Sequence, residues 1–205
     1  MNIEVKISVK PIDYIESMEI LEQRASDVFN GKKVEFLWIL EHKPVYTAGT
    51  SAKNEDLLNK KIKVIKSKRG GKHTYHGPGQ KVVYFVLNLN KRGKDIRKLV
   101  KKVENCIIKI LKEYKIESHK DHKNIGIWVG DKNNSKKIAA IGIRVKKWVA
   151  FHGFSLNMNN DLSKYKSIIP CGIKNKSVTN LNNLGIKNYE KIDKIIIEKF
   201  LNIFA

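Results

Sequence analysis

The spacing of apolar residues predicts three helices. Residues 12–29, 95–114 and 190–204 each repeat apolar side chains three or four positions apart, which is the period of an amphipathic helix. Asp13 is the predicted N-cap of the first helix, and Asn30-Gly31 is its stop signal. The second helix is the clearest, with an apolar face from Ile96 to Tyr114. The first helix is expected to face the core with Ile15, Met18, Leu21, Ala25, Val28 and Phe29.

The remaining apolar runs predict strands, and their order predicts the fold class. Residues 81–89 are nearly continuously apolar, which is typical of a central strand covered on both faces. Residues 136–145 and 148–158 are predicted to form a hairpin joined at Lys146-Lys147. The order of strands and helices indicates an α+β (mixed α/β) fold, in one domain spanning residues 1–205, and not a doubly wound βαβ repeat. Further strands are predicted in residues 1–10, 34–42, 62–67 and 125–130.

Charge and length restrict the partners. The 205 residues carry a formal net charge of +21, which fits a lysine-rich surface, phosphate contacts to nucleic acid, or docking of an acidic protein. The lysines are spread along the chain without a basic tail, which weakens the nucleic-acid hypothesis. The apolar runs are too short to cross a bilayer, and residues 1–10 lack the apolar block of a signal peptide. We therefore expect a cytoplasmic protein with no membrane partner.

The densest local signal is the glycine-rich segment, residues 69–80, with the sequence RGGKHTYHGPGQ. Its two glycine pairs leave the backbone open to close approach, and they hold His and Tyr residues between them. This favours the wall of a binding pocket over an empty turn. The spacings GxxxxGK[ST] and GxGxxG are both absent, so nothing here argues for a nucleotide, and no cofactor is expected.

Histidines give weaker signals. His73 and His76, like His119 and His122, are three positions apart, but no cysteine or carboxylate completes a metal-ligand spacing, so no metal is expected. His152 lies in the middle of a predicted strand. Two hypotheses explain it equally well: His152 is a core histidine hydrogen-bonded to the backbone, or it is a binding residue.

The two cysteines are interpreted differently. Cys106 lies at the edge of the second helix's apolar face and is expected to be a buried residue without chemistry. Cys171 lies between Pro170 and Gly172 with no histidine or acid beside it. A free thiol of pKa about 8.5 is only about 3% thiolate at pH 7. If folding brings Lys137 to Cys171, its ammonium would favour the thiolate, and a depression of about two pKa units corresponds to roughly 2.7 kcal/mol.

Three motifs in this order carry a family resemblance: RGGKHTYHGPGQ, KKIAAIGIRVKKWVAFHGFSLNMNNDL, and IIPCGI followed by VTNL. They resemble the lipoyl(octanoyl) transferases, which are octanoyl-[acyl-carrier-protein]:protein N-octanoyltransferases. The resemblance implies a biotin/lipoate protein ligase-like catalytic domain, with a mixed sheet flanked by helices. It implies that Cys171 is the acyl-thioester nucleophile and that Lys137 lowers its pKa. The substrate pocket that it implies is formed by Arg69, Gly70, Gly71, Lys72, His73, Thr74, Tyr75, His76, Ala140, Ile141, Gly142, Gly153, Phe154 and Ser155.

The resemblance also implies an activity. Octanoyl would move from octanoyl-acyl carrier protein to a lysine of lipoyl domains of 2-oxoacid dehydrogenases and of the glycine cleavage H protein, in lipoate biosynthesis. Exchange of one thioester for another, followed by amide formation, requires no ATP. The alternatives are an ATP-dependent lipoate or biotin-protein ligase of the same fold and, in a different class, a nucleic-acid-binding protein.

Overall fold

The computed structural model describes residues 2–121, 124–131, 134–169 and 177–205. Its main feature is a seven-stranded mixed sheet in the order β1-β2-β6-β10-β9-β8-β7. β1 pairs with β2 in parallel, and the other neighbouring pairs are antiparallel. The strands of this sheet are β1 (Ile3–Ile7), β2 (Glu35–Leu40), β6 (Gln80–Asn88), β7 (His119–Lys120), β8 (Ile127–Val129), β9 (Lys136–Lys146) and β10 (Val149–Asn157).

A smaller sheet has three strands in the order β4-β3-β5. All three come between β2 and β6 along the chain. It consists of β3 (Val45–Ala48), β4 (Val64–Lys66) and β5 (His73–His76). The sequence did not predict β5, because the glycine-rich segment was interpreted as the wall of a pocket and not as a strand. The four residues HTYH show no apolar alternation, and they form a strand because β3 pairs with them, Val45 opposite His76.

Three helices cover the large sheet: α1 (Tyr14–Phe29), α2 (Ile96–Glu113) and α3 (Ile192–Phe204). The Asp13 carboxylate accepts hydrogen bonds from the first turn of α1, and Asp95 caps α2 in the same way, as the sequence predicted for Asp13. α1 packs on one face with Leu21 and Val28, whereas α2 and α3 pack on the other with residues such as Ile107 and Phe200. The sheet is therefore buried on both faces over its central strands.

Several apolar side chains of the helices differ from the prediction. The buried stripe of α1 runs through Tyr14, Ser17, Leu21, Ala25 and Val28. Ile15 and Phe29 each lie one position, about 100° of helix rotation, from this stripe, and they are 54% and 42% exposed. Ile96 at the start of α2 is also 42% exposed.

Two other predictions about single elements are confirmed. β6 is central, with β2 on one side and β10 on the other. β9 and β10 form the predicted hairpin, with its turn at Lys147-Trp148, one position later than the predicted Lys146-Lys147, and Gly142 lies directly opposite Gly153. None of the helices in the described part of the chain is long and apolar enough to cross a membrane.

Candidate active site

A cavity of about 300 Å³ lies where the pairing of β8 with β9 ends. β8 pairs with β9 only as far as Ala139, so the next residues of β9 meet the glycine-rich segment instead, with Gly70 N donating to Ile143 O at 3.0 Å. The cavity is lined by Arg69, Gly70, Gly71, Lys72, His73, Thr74, His76, Val82, Tyr84, Val100, Asn124, Ile125, Lys137, Ala140, Ile141, Gly142, Ile143, His152, Gly153, Phe154 and Ser155.

Arg69 fixes the glycine-rich segment to its neighbours. Its guanidinium donates to the Thr47 carbonyl at 3.2 Å, to Thr47 Oγ1 at 2.7 Å, to Lys72 O at 3.0 Å and to Gly70 O at 3.0 Å. The Arg69 side chain also lies against Gly142, where a Cβ would come within 3.1 Å of Arg69 Cδ. A buried planar donor of this kind holds several carbonyls at once, so it fixes the shape of the cavity wall.

Lys137 is 4% exposed and lines the same cavity. Its ammonium donates to Ile125 O at 2.9 Å and lies 4.6 Å from the centroid of the Trp128 ring. Gly126 leaves space for this side chain, because a Cβ there would lie 3.2 Å from Lys137 Nζ. The backbone of Lys137 accepts from Thr179 N and donates to Ser177 O, both at 2.9 Å. A cation is thus held in the cavity wall next to the chain that follows residue 176.

The cavity reaches residues on both faces of the large sheet. Val100 belongs to α2, and Ile141 packs with the cluster on the α2 side, whereas Val82 and Tyr84 belong to the cluster on the α1 side. The opposed pair of glycines in β9 and β10 lies between these groups in the lining. A Cβ at Gly142 would press on Arg69 Cδ, and a Cβ at Gly153 would collide with Val83 O, so both positions need glycine for the close packing of the cavity wall.

The cavity has an outer end and an inner end. At the outer end, Ile125 is 54% exposed, and Val100 and Asn124 are partly exposed. The inner end, defined here by His76, Val82, Tyr84 and His152, is buried. Most of the surface that the lining exposes to the cavity is apolar, although Arg69, Lys72 and Lys137 also reach it, and this suits a chain of methylene groups.

The aromatic residues of the inner end are packed against a further buried ring, that of His42. His42 Nε2 and the Tyr84 hydroxyl share a hydrogen bond of 2.7 Å, and His76 Nδ1 bonds Gln80 Oε1 at 2.6 Å. Burial lowers the pKa of His42 to about 4 and the pKa of His76 to about 3. Both imidazoles are therefore neutral at pH 7, which keeps the inner end free of charge.

His152 adopts an unusual backbone conformation, with φ at 69° inside β10. A left-handed conformation of this kind costs a non-glycine residue roughly 1–3 kcal/mol. Burial lowers the pKa of the imidazole to about 3, and Nδ1 is buried without a hydrogen-bond partner among the described residues. Among the described residues, Nδ1 therefore gives no support to the hypothesis of a backbone-bonded core histidine, and the ring lines the cavity, as the binding hypothesis requires.

The structure brings most of the predicted site residues together around this cavity. Tyr75 is the exception among the described ones, since it points into a cluster on the other side of β5, with ring centroids 5.0 Å from Tyr46 and 6.0 Å from Tyr165. His73 lines the cavity, and burial lowers its pKa against the opposing effect of the Asp56 charge. Cys171 and His122 lie outside the described residues.

The described residues on either side of Cys171 are both anchored near the site. Ile169 N donates to Asp56 O at 2.7 Å, and Ser177 O accepts from Lys137 N at 2.9 Å. Val178 forms an isolated parallel β-bridge with Lys137, which pairs the chain after residue 176 with β9. The chain thus enters and leaves the segment 170–176 beside residues that lie close to the cavity.

Several lining residues were not predicted from the sequence. Val82 and Tyr84 belong to an apolar strand that looked entirely like core, and Val100 looked like part of the core face of α2. Asn124 lies in a connection without any distinct signal, and Ile125 was predicted only as the first residue of a strand. Tyr84 is the one of these with a usable sequence signal, because a tyrosine hydroxyl in a strand buried on both faces needs a polar partner.

Solved structures show that the chain has the fold of the lipoate protein ligases. The bi-partite lipoate protein ligase of Thermoplasma acidophilum matches with a TM-score of 0.73 at 13% identity, covering 98% of this chain and 84% of that one. A lipoate-protein ligase A bound with ATP matches with a TM-score of 0.72 at 14% identity, covering 98% and 85%. The predicted lipoate ligase-like mixed sheet flanked by helices is confirmed by these likenesses.

Sequence similarity then gives the family. The family model described as the lipoyl protein ligase A/B catalytic domain matches residues 13–201. An octanoyltransferase of Ehrlichia chaffeensis is 47% identical over 206 aligned residues, covering 99% of this chain and 96% of that protein. An octanoyltransferase of Wolbachia sp. subsp. Brugia malayi is 42% identical over 204 aligned residues, covering 98% of this chain and 100% of that protein. The chain belongs to the lipoyl protein ligase A/B catalytic domain family.

Proposed function

We propose that this chain is a cytoplasmic octanoyltransferase, a single catalytic domain over residues 1–205 that carries the acyl group as a thioester on Cys171. The observation that carries the proposal is the apolar cavity with the Lys137 ammonium in its wall. The relatives that match along nearly the whole chain are named octanoyltransferases, which supports the same activity.

The first half of the reaction loads the enzyme. The Cys171 thiolate attacks the carbonyl carbon of octanoyl-acyl carrier protein, a new C–S bond forms, and the C–S bond to the carrier breaks. The departing carrier thiolate takes up the proton that Cys171 gave up. Lys137, held between Ile125 O and the Trp128 ring, supplies the positive charge that favours the thiolate.

The second half transfers the acyl group to the acceptor. A neutral lysine amine of a lipoyl domain attacks the thioester carbonyl, the C–N bond forms, and the C–S bond to Cys171 breaks. The proton lost by the amine returns to the sulfur, so the enzyme is restored. Since an amide is more stable than a thioester, no ATP is needed for this step.

The walls of the cavity support an acyl substrate. Val82, Ile141, Ile143 and Phe154 line it with apolar side chains, and the glycine-rich segment brings backbone close to whatever occupies it. Burying a methylene group contributes about 0.8 kcal/mol, so an eight-carbon chain gains several kcal/mol by entering such a site. The net charge of +21 favours encounter with acidic partner proteins, which is what we expect of the acyl carrier protein and the lipoyl domains.

An ATP-dependent ligase of the same fold makes a different prediction about substrates. Purified enzyme is incubated with a lipoyl domain and either octanoyl-acyl carrier protein without ATP, or free octanoate with ATP and Mg²⁺. We expect octanoyl-lipoyl domain only in the first mixture. Modification only in the second mixture would overturn the transferase proposal in favour of the ligase.

A further inference from the structure

The side chain of His152 lies on the opposite face of the sheet from the one that strand alternation assigns to it. In β10, Ala150, Phe154 and Leu156 pack with the cluster on the α2 and α3 side. Because side chains alternate along a strand, the side chain of His152 should point to the same side. With φ at 69°, His152 instead stacks on Phe151, with ring centroids 5.2 Å apart. Phe151 belongs to the α1-side cluster, so the backbone conformation turns the imidazole through to that face.

Turned in this way, the His152 ring becomes part of the inner end of the cavity. It lies edge-on to Tyr84, with ring centroids 6.1 Å apart, and is 3% exposed. Tyr84 is bonded to His42, and His76 is bonded to Gln80. His152 Nδ1 has no such partner among the described residues, so hydrogen bonding at that atom does not explain the strained conformation. What the conformation does achieve is to put a rigid ring at the end of an apolar passage.

We propose that the His152 ring closes the inner end of the cavity and thereby limits the length of the straight acyl chain that the enzyme accepts. This inference rests on the proposed function. A chain longer than the passage has to displace an imidazole that is packed against both Phe151 and Tyr84. On its side away from the cavity the ring packs against these two residues, and because cores are close-packed it cannot give way to a longer chain without shifting them.

The variant His152→Gly tests this directly. Glycine adopts a φ near 69° without strain, so the variant is expected to fold, and it removes the whole ring. Transfer is measured from carrier proteins loaded with octanoyl, decanoyl or dodecanoyl groups. The ratio of kcat/KM for dodecanoyl to kcat/KM for octanoyl is expected to rise at least about tenfold over the wild type, since single methylene groups in an apolar pocket change specificity by that order.

Two further variants separate a length limit from a general structural effect. Lys147→Gly relieves a similar positive φ, 50°, in the turn between β9 and β10, and it should leave the chain-length profile unchanged. His152→Asn keeps a residue that tolerates this backbone but has a smaller side chain, and it should shift the profile in the same direction by less.

The outcomes distinguish the two proposals. If the His152 variants transfer octanoyl and dodecanoyl in the wild-type ratio, or lose both equally, the ring does not set the chain length and the inference is overturned. If the wild-type chain transfers no acyl group from any carrier, the proposed function itself is overturned, and this inference with it.

Discussion

The Lys137 ammonium lies 4.6 Å from the centre of the Trp128 ring and donates a hydrogen bond to the backbone oxygen of Ile125. Both of these contacts are with uncharged groups. A cation over an indole face is attracted to it by roughly 0.5–2 kcal/mol without being neutralised. The two contacts therefore fix the position of a positive charge in the cavity wall, and neither of them neutralises it.

Removing this charge should slow the formation of the acyl-enzyme. In Lys137→Met we expect the apparent pKa of the Cys171 thiol to rise toward that of a free thiol, about 8.5, so that the thiolate fraction at pH 7 falls to about 3% and acyl transfer falls roughly 25-fold. Alkylation of Cys171 with iodoacetamide as a function of pH measures the shift. The control Lys137→Arg keeps the charge and should lose less transfer activity than Lys137→Met. Identical alkylation profiles for the wild type and Lys137→Met would contradict the role assigned to Lys137.

The second cysteine should be inert. Cys106 belongs to α2 and is completely buried in the core, and burial raises the pKa of its thiol to about 12. We therefore expect no alkylation of Cys106 in the native protein at pH 7.5, and full alkylation in urea. Cys106→Ala should retain transfer activity at the cost of about 1–2 kcal/mol of unfolding free energy. Loss of activity by a folded Cys106→Ala protein would mean that the wrong thiol has been assigned.

Arg69 should be needed for the shape of the cavity. Its guanidinium holds Thr47, Gly70 and Lys72 through four hydrogen bonds, and a lysine ammonium has no fork with which to reach the same acceptors. In Arg69→Lys we expect about 2 kcal/mol less stability toward urea and a KM for the acyl donor about tenfold higher. An unchanged KM together with unchanged stability would show that the segment keeps its shape without this residue.

Stability should decrease as the pH falls from 6.5 toward 4. His42 and His76 have pKa values of about 4 and about 3 in the folded protein, lowered by burial, against about 6.5 in an unfolded chain. Within this window the unfolded chain binds protons that the folded chain does not, so the stability present above pH 6.5 is lost as pH decreases.

The expected loss is about 3 kcal/mol for a histidine shifted from about 6.5 to about 4. Urea denaturation at pH 7.0, 5.5 and 4.5 measures it. His42→Asn should be less stable at pH 7 but should show a shallower pH dependence than the wild type. If the wild-type and variant curves are parallel, the folded protein tolerates a charged imidazole at His42.

Much of the fold follows from local sequence patterns. The cap at Asp13 and the apolar spacing of α1 and α2 depend on neighbours within one helical turn, so they can be predicted from one stretch of sequence. The central position of β6 follows from its continuous apolar run. β5 could not be predicted, because its pairing with β3 connects residues about 30 positions apart in the chain and leaves no local alternation.

The site was predictable only in part, for the same physical reason. The glycine-rich segment and the small residues of β9 are visible as motifs, whereas the contributions of Val82, Tyr84 and Val100 arise from tertiary packing. The reversed orientation of His152 depends on a single backbone angle. Residue type alone does not reveal it, because histidine occurs in strands without any such reversal.

The most direct test is the intact mass of the enzyme after incubation with octanoyl-acyl carrier protein and no acceptor. The account predicts that one octanoyl group is added, that it maps by peptide analysis to Cys171, and that it is lost when a lipoyl domain is added. No adduct on an enzyme that nevertheless octanoylates the lipoyl domain, or an adduct on Cys106, would contradict it.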